Sequence, residues 1–211
     1  MTMHKGRAGM LAGLLAMLVL GLTGCGVGPK PRESVAAYDF GLPAAARPVP
    51  VKGLAQVLVT APNWMDTTQL HYRLAYAGGA GGAGNAAVGM ANAARPAAYA
   101  QTRWVSTPSN LIEARLKERA VAGGVLLGGP GPALRVELDE FSQVFDAEKT
   151  SRGVLRARAS LATGRDVTAQ KAFLIQVQAS TPDGPGGALA LGEAANRLVD
   201  DVLAWAGGAA R

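Results

Sequence analysis

The stretch Leu-Arg-Val-Glu-Leu-Asp-Glu-Phe-Ser-Gln-Val-Phe, residues 134–145, decides the fold of this chain. Apolar and charged residues alternate up to Leu138, which is typical of a strand with one buried face. The apolar positions then change parity and continue at Phe141 and Phe145. Because no turn residue accompanies this change, it predicts a β-bulge within the strand.

Two further alternating segments follow and predict two more strands, with residues 163–166 as the turn between them. Their apolar positions are Leu155, Ala157, Ala159, Leu161, Phe173, Ile175, Val177 and Ala179. Residues 182–187 break the pattern, and apolar residues then recur at steps of three or four. This predicts an amphipathic helix from near Ala188 that closes the core. Its apolar stripe is Leu191, Ala194, Leu198, Val202 and Trp205.

The part of the chain before the deciding strand repeats this order of elements. Residues 57–59 form a short apolar run, residues 70–76 alternate, and residues 99–105 are interpreted as the partner strand of 70–76. Thr107 as a cap and Pro108 at the first helical position predict a helix.

The resulting order, βββα-βββα, predicts an α/β (α+β) fold, a mixed, largely antiparallel sheet packed by two main amphipathic helices. Gly and Ala dominate residues 78–98, between the second and third strands. This composition predicts an enlarged, mobile hairpin loop.

A secretory signal precedes the predicted domain. Lys5 and Arg7 are followed by an uncharged apolar run at residues 10–22, which is short for a membrane span. The sequence Leu22-Thr23-Gly24-Cys25 then resembles the bacterial lipobox, in which the cysteine is diacylated and becomes the new N-terminus. An ordinary signal peptide that happens to contain a cysteine is the alternative.

These signals divide the chain into three parts. Residues 1–24 are a lipoprotein signal peptide, 25–50 a lipidated proline-rich tether, and 51–211 the folded domain. Cys25 is the lipidation site, and its diacylglycerol and N-acyl chain are the only non-protein groups we expect. Since it is the only cysteine, no disulfide or cysteine metal site is expected.

Charge and anchor together indicate a location. Loss of Lys5 and Arg7 with the signal lowers the formal net charge from +6 to +4, a mild excess that suits an anionic membrane surface. Gly26 stands where an inner-membrane retention signal usually places Asp, so the resemblance favours the periplasmic side of the outer membrane over the inner membrane.

No catalytic or cofactor set emerges from the remaining residues. Residues 79–84 match the dinucleotide pattern G-x-G-x-x-G, but no acidic residue lies between Asp66 and Glu113. His71 is the one histidine left after cleavage, and it falls on the polar, solvated face of a strand beside Arg73. We therefore expect no enzyme and no bound metal.

The charged residues of the central strands do not change this expectation. We expect Glu137, Asp139 and Glu140 to be neutralised by arginines of neighbouring strands, namely Arg135, Arg156 and Arg158. Aromatic residues make up only 5% of the chain, and Tyr72 and Tyr76 fall on the apolar face of their strand, away from the arginines that base stacking would need, so nucleic-acid binding is not expected.

Several short aromatic motifs carry a family resemblance. They are Tyr38-Asp39-Phe40-Gly41, Trp64-Met65-Asp66, Tyr72-Arg73-Leu74-Ala75-Tyr76, residues 99–104 with Pro108, Glu140-Phe141-Ser142-Gln143-Val144-Phe145 and the last helix ending in Trp205. In this order the chain resembles the ABC-type transport auxiliary lipoproteins, which include the lipoprotein of the paraquat-inducible lipid-transport systems. The resemblance covers nearly the whole mature chain, although residues 78–98 exceed the usual hairpin of the family.

The resemblance implies a non-enzymatic role in lipid transport between two membranes. The implied partners are an MCE-domain lipid-binding protein, a permease and an ATPase. The lipoprotein would either dock this transporter at the outer membrane or receive lipid from it. It leaves open a bound phospholipid and a homo-oligomer.

Three aromatic residues are candidates for contact with a partner or lipid: Trp64, Tyr99 and Trp104. Trp64 is the strongest, because it lies in a loop beside Pro62 and Asp66. Burial in the core is the alternative for all three. Two other functions remain as hypotheses: a structural lipoprotein for outer-membrane assembly or envelope integrity, and an enzyme that uses His71.

Overall fold

Nine strands and two long helices make up the described part of the chain, which in this computed structural model comprises residues 34–42, 53–76 and 91–209. In chain order they are β1 (Ala36–Tyr38), β2 (Gly53–Leu54), β3 (Gln56–Thr60), β4 (Gln69–Leu74), β5 (Ala97–Trp104), α1 (Pro108–Ala122), β6 (Leu126–Leu127), β7 (Ala133–Ala147), β8 (Thr150–Thr163), β9 (Asp166–Gln178) and α2 (Gly184–Ala209).

The stretch that decides the fold is strand β7, which lies at the centre of the main sheet. β7, β8 and β9 form an antiparallel meander. The register of β7 against β8 shifts between Leu138 and Glu140, so the predicted bulge is confirmed at Asp139. The shift keeps Phe141 on the buried face after Leu138, because one additional residue restores the alternation.

The other long edge of β7 is shared by two short strands. β3 runs parallel to its first half, with Val57 opposite Leu134, and β4 runs parallel to its second half, with Tyr72 opposite Gln143. Among the described residues, seven strands form one sheet in the order β1-β5-β4-β7-β8-β9, with β3 beside β7, while β2 and β6 pair separately. The longest ladders are antiparallel, and the predicted mixed, largely antiparallel α+β fold is confirmed.

Helix α1 begins where the sequence predicts. The Thr107 side chain accepts a hydrogen bond from the Asn110 backbone N–H, Pro108 occupies the first turn, and Gly123 caps the C-terminus. Arg119, in the last turn of α1, is only 4% exposed although it is charged. It packs toward α2, where its Nε lies 3.4 Å from a carboxylate oxygen of Asp200.

Helix α2 begins at Gly184, earlier than the predicted start near Ala188. The Asp183 carboxylate accepts a hydrogen bond from the Gly186 N–H at 2.8 Å and so caps the first turn. A Cβ at Gly184 would collide with Thr102, and one at Gly187 with Gln143. Glycines that weaken helix propensity are therefore tolerated here because they let the first turn approach the sheet.

The core lies between the sheet and the two helices. Leu191, Leu198 and Val202 on α2 are fully buried, as predicted, while Trp205 is half-buried with its ring 6.2 Å from that of Phe173. Within the described ranges no helix is long and apolar enough to cross a membrane.

Part of the predicted loop 78–98 differs from expectation. Residues 91–94 are helical, and β5 already begins at Ala97. The remainder of that loop, including the G-x-G-x-x-G match at 79–84, lies outside the described residues, as do the signal peptide, Cys25 and most of the tether.

Candidate functional site: two aromatic clusters

The segment Tyr38–Gly41, which lies within the predicted tether 25–50, is docked on the folded domain. Strand β1 pairs in parallel with β5, which places Tyr38 opposite Trp104. Phe40 is 6% exposed, and its ring centroid lies 5.6 Å from that of Trp104 and 6.1 Å from that of Phe141. Aromatic packing thus holds part of the predicted tether on the domain.

Polar side chains from both helices hold the same segment. Arg115 of α1 donates hydrogen bonds to the Gly41 carbonyl oxygen at 2.5 Å and to Asn196 Oδ1 at 3.0 Å. Asn196 of α2 in turn donates to the Phe40 carbonyl oxygen at 3.2 Å. The backbone carbonyl groups of buried Phe40 and exposed Gly41 are therefore both bound by helix side chains, which fixes the segment on the helix pair.

Trp104 does not belong to a surface. It is 1% exposed, and its ring lies 5.4 Å from Phe141 as well as beside Phe40. Its place among the contact candidates is therefore wrong, because the side chain is enclosed by the docked segment and β7.

Trp64, in contrast, stands out from a tightly built loop. It is 40% exposed, while its neighbour Met65 is fully buried and holds the loop against the core. Asp66 accepts hydrogen bonds from the Ser109 N–H at 3.2 Å and from its hydroxyl at 2.9 Å, which ties the loop to the start of α1. Trp64 is thus an exposed aromatic side chain on a rigid support.

Two side chains of β4 fix the orientation of the Trp64 ring. The His71 ring lies 5.8 Å away in an edge-to-face arrangement, and the Arg73 guanidinium lies 5.1 Å from the ring centroid. Arg73 forms an ion pair with Glu140 at 3.0 Å, and Ser142 donates to that carboxylate at 2.6 Å.

His71 is buried, not solvated as the strand alternation predicts. Trp64 folds over it, which leaves 7% of the residue exposed. Burial lowers the pKa of His71 below its ordinary value; the Glu140 charge opposes this shift and the Arg73 charge adds to it. The neutral imidazole thus packs beneath the exposed indole.

Tyr99 lies in a second aromatic cluster with Tyr72, at 4.7 Å between ring centroids. Its hydroxyl donates to Gln143 Oε1 at 2.8 Å, and Gln143 Nε2 donates to the Ser151 hydroxyl at 2.8 Å. Burial, with smaller contributions from Tyr72 and Asp183, strongly raises the pKa of Tyr99, so the phenol remains a hydrogen-bond donor. Tyr99 is half-buried and supports the sheet interior.

The carboxylates of β7 are paired, largely as predicted. Arg158 contacts Glu137 at 3.2 Å and Asp139 at 3.0 Å across the strand pair. Glu140 pairs with Arg73 of β4 instead of an arginine of β8. No group of three or more His, Cys, Asp or Glu that could hold a metal ion occurs in the part of the chain that the structure describes.

Sequence reasoning missed the residues that hold these clusters. Arg115 was not singled out from the sequence, and Asn196 is marked there only by being an amide side chain within a largely apolar helix. Arg73 was assigned only to a polar strand face. A cation two positions from His71 on the same face was the available signal for the support beneath Trp64.

Comparisons with known proteins give the fold. No family model and no curated protein sequence matches this chain. Protein XCC0632 from Xanthomonas campestris, described with the family name DUF330, matches with a TM-score of 0.62 at 16% identity, over 81% of this chain and 94% of that one. A second solved structure, described only as an uncharacterized protein, matches with a TM-score of 0.57 at 10% identity, over 81% and 97%. At these identities the likeness establishes a shared fold.

Proposed function

We propose that this chain is a lipoprotein, anchored by acyl chains on Cys25 at the outer membrane and facing the periplasm, that serves an MCE-type ABC lipid-transport system without catalysing a reaction. Its role is to dock the periplasmic part of the transporter. The partners are an MCE-domain lipid-binding protein with its permease and ATPase.

The observation that carries this proposal is the meeting in space of the motifs that resemble the auxiliary lipoproteins. Phe40, Trp104 and Phe141 come from three of these motifs and pack together. Tyr72, from a fourth motif, contacts Tyr99 and Phe145, which belong to two of the same three motifs. Motifs separated by a hundred residues thus form continuous clusters, as expected if they build one structural unit rather than match by chance.

The arrangement also supports a docking role over a lipid-receiving one. The docked segment around Phe40 packs on the core within the predicted tether, so only the residues before it separate the domain from the proposed anchor at Cys25. Trp64 presents an indole whose orientation is already fixed, and a fixed aromatic side chain loses little entropy when a partner covers it. Tethering at the membrane raises the effective concentration of such an encounter.

Photo-crosslinking in cells tests the docking role. A photoreactive residue at position 64 should trap an MCE-domain protein, whereas one at Leu126, which is 70% exposed, serves as the control and should not. Crosslinks from position 64 only to a barrel protein or to peptidoglycan would replace this proposal with the alternative, an assembly or envelope-integrity lipoprotein.

The anchor has its own test. Intact mass of the membrane-extracted protein should place the mature N-terminus at Cys25 with acyl chains attached, and Cys25→Ala should block processing by the lipoprotein route. Each buried CH₂ contributes roughly 0.8 kcal/mol, so several chains hold the protein firmly. A mature N-terminus elsewhere, or a mass without acyl chains, contradicts the anchor.

A further inference from the structure

The two outer strands of the main sheet differ in how they are protected. β1 is three residues long, whereas β9 has thirteen residues and pairs only with β8 in the described chain. Proteins usually shorten an edge strand or interrupt it with proline or several charges, because free backbone N–H and C=O groups recruit other strands. β9 contains no Pro or Gly, and Lys171 is its only charged residue after Asp166.

A groove runs along the buried side of this edge, between β9 and the last turns of α2. Its volume is about 680 Å³, and its walls include Phe173, Ile175, Ala204 and Trp205. Lys171 lies at the groove with its ammonium 5.1 Å from the Phe173 ring centroid. Asp201 lines the opposite wall, and no ion pair joins it to Lys171.

An added strand would use both features at once. Its backbone would pair with the free edge of β9, and every second side chain would point to the helix-covered side, into the groove. The side chains between them would face the opposite side, where Leu174 is 53% exposed. Backbone pairing supplies affinity, and the apolar groove selects which side chains fit.

We propose that the β9 edge and the β9–α2 groove bind an extended segment of another protein by strand addition. The segment carries apolar residues at alternate positions and one carboxylate opposite Lys171. This surface is formed by residues separate from Trp64 and does not depend on the transport role.

Charge favours a different protein over a second copy of this chain. Between residues 167 and 178 β9 has no acidic residue, so two copies of β9 paired along their length bring no carboxylate to Lys171. In an antiparallel pair, a register that places Asp166 opposite Lys171 would leave the strand from Ala172 onward unpaired. A heterologous strand with one Asp or Glu satisfies both the cation and the whole edge.

A peptide selection tests the proposal on the full chain. The probe is a displayed library of peptides of about nine residues, with apolar residues fixed at alternate positions and the others varied. Enriched peptides should bind saturably, carry an acidic residue and slow hydrogen–deuterium exchange of the β9 amides. Slowed exchange at an edge strand reports new backbone hydrogen bonds, which a ligand seated only in the groove does not form.

Two protein variants define the surface. Ala204→Trp fills the groove and should weaken peptide binding about ten-fold or more, while Leu189→Trp, at an exposed position of the same helix, should leave it unchanged. Lys171→Glu should weaken acidic peptides about three- to ten-fold, and replacing the acid of the peptide with Lys should restore binding. Circular dichroism and melting of each variant verify folding.

Four outcomes would overturn the proposal. The first two are a selection in which no enriched peptide slows hydrogen exchange of β9, and peptides that slow exchange only in α2. The third is slowed β9 exchange caused by phospholipid vesicles alone. The fourth is a dimer of the free protein in which the β9 amides are already protected from exchange. The last would assign the edge to a second copy of this chain.

Discussion

The regions around Trp104 and Trp64 use the same side chain for opposite purposes. Trp104 is 1% exposed and packs between Phe40 and Phe141, so it joins the docked N-terminal segment to the sheet. Trp64 is 40% exposed, and its neighbours fix its orientation without enclosing it. Both residues are tryptophans, so the extent to which neighbouring residues enclose the side chain decides whether it stabilises the fold or is available to a partner.

The largest test of this comparison is to truncate each tryptophan. Trp104→Ala removes the centre of a packed aromatic cluster and should lower the free energy of unfolding by roughly 3–5 kcal/mol. Trp64→Ala should lower it by about 1 kcal/mol, because the side chain is partly exposed and its ring contacts with His71 and Arg73 lie at the surface. Chemical denaturation of both variants measures the difference.

In the crosslinking experiment the order of the two tryptophans should be the reverse of their order in stability. Trp64→Ala should impair capture of the partner, while a folded Trp104→Phe protein should retain it. Equal losses of stability for the two alanine variants would contradict the comparison.

A second test compares a buried and an exposed leucine of the same helix. Leu198 of α2 is fully buried and Leu189 is 64% exposed. Leu198→Ala should cost roughly 2–5 kcal/mol of unfolding free energy, as truncation in a packed core does, and Leu189→Ala about 0.5 kcal/mol or less. A melting temperature that Leu198→Ala leaves unchanged would show that the stripe does not close the core.

A third test separates the hydrogen bonds that Arg115 donates at the docked segment from the aromatic packing of Phe40. Arg115→Met leaves the Gly41 carbonyl and Asn196 Oδ1 without their donor, which should cost roughly 1–3 kcal/mol. Hydrogen exchange should become faster at β1 in particular. Lys117→Met, which removes only an exposed pair with Glu113, is the control and should cost about 0.5 kcal/mol or less. Unchanged exchange at β1 would assign the docking to Phe40 alone.

The sequence predicts the C-terminal half of the fold well because its contacts there are local. β7, β8 and β9 are joined by short turns, so alternation and the change of parity near Asp139 describe the sheet almost completely. The stripe of α2 is equally readable, since it is long and strongly periodic. The start of α2 is not, because its glycines are set by contact with Thr102 and Gln143, which lie far away in the chain.

The N-terminal half and the candidate site are predicted less well for the same reason. β3 and β4 pair in parallel with β7 across long connections, and nothing local indicates those partners. His71 alternates as a solvated residue, yet a loop that contributes Trp64 covers it. The sequence around Trp104 similarly looks like that of any aromatic residue in a strand, and its burial depends on Phe40, which lies far away in the chain and packs on it. Alternation reports which side of a strand a residue occupies, while a loop or docked segment decides whether that side is open.

The smallest and most specific test concerns pH, and it probes the support beneath Trp64. Burial lowers the pKa of His71, so the unfolded chain takes up this proton at a higher pH than the folded one. Stability should therefore fall as the pH drops below the ordinary histidine pKa of about 6.5, and this contribution should be absent above it. His71→Gln should be less sensitive to acid over the same window, measured by chemical denaturation at about pH 7.5 and about pH 5.5. Because His4 is the only other histidine, the His71 ring can be followed by NMR titration. An unfolding free energy that declines equally with acid in both proteins would show that His71 is not the buried neutral group on which the Trp64 ring rests.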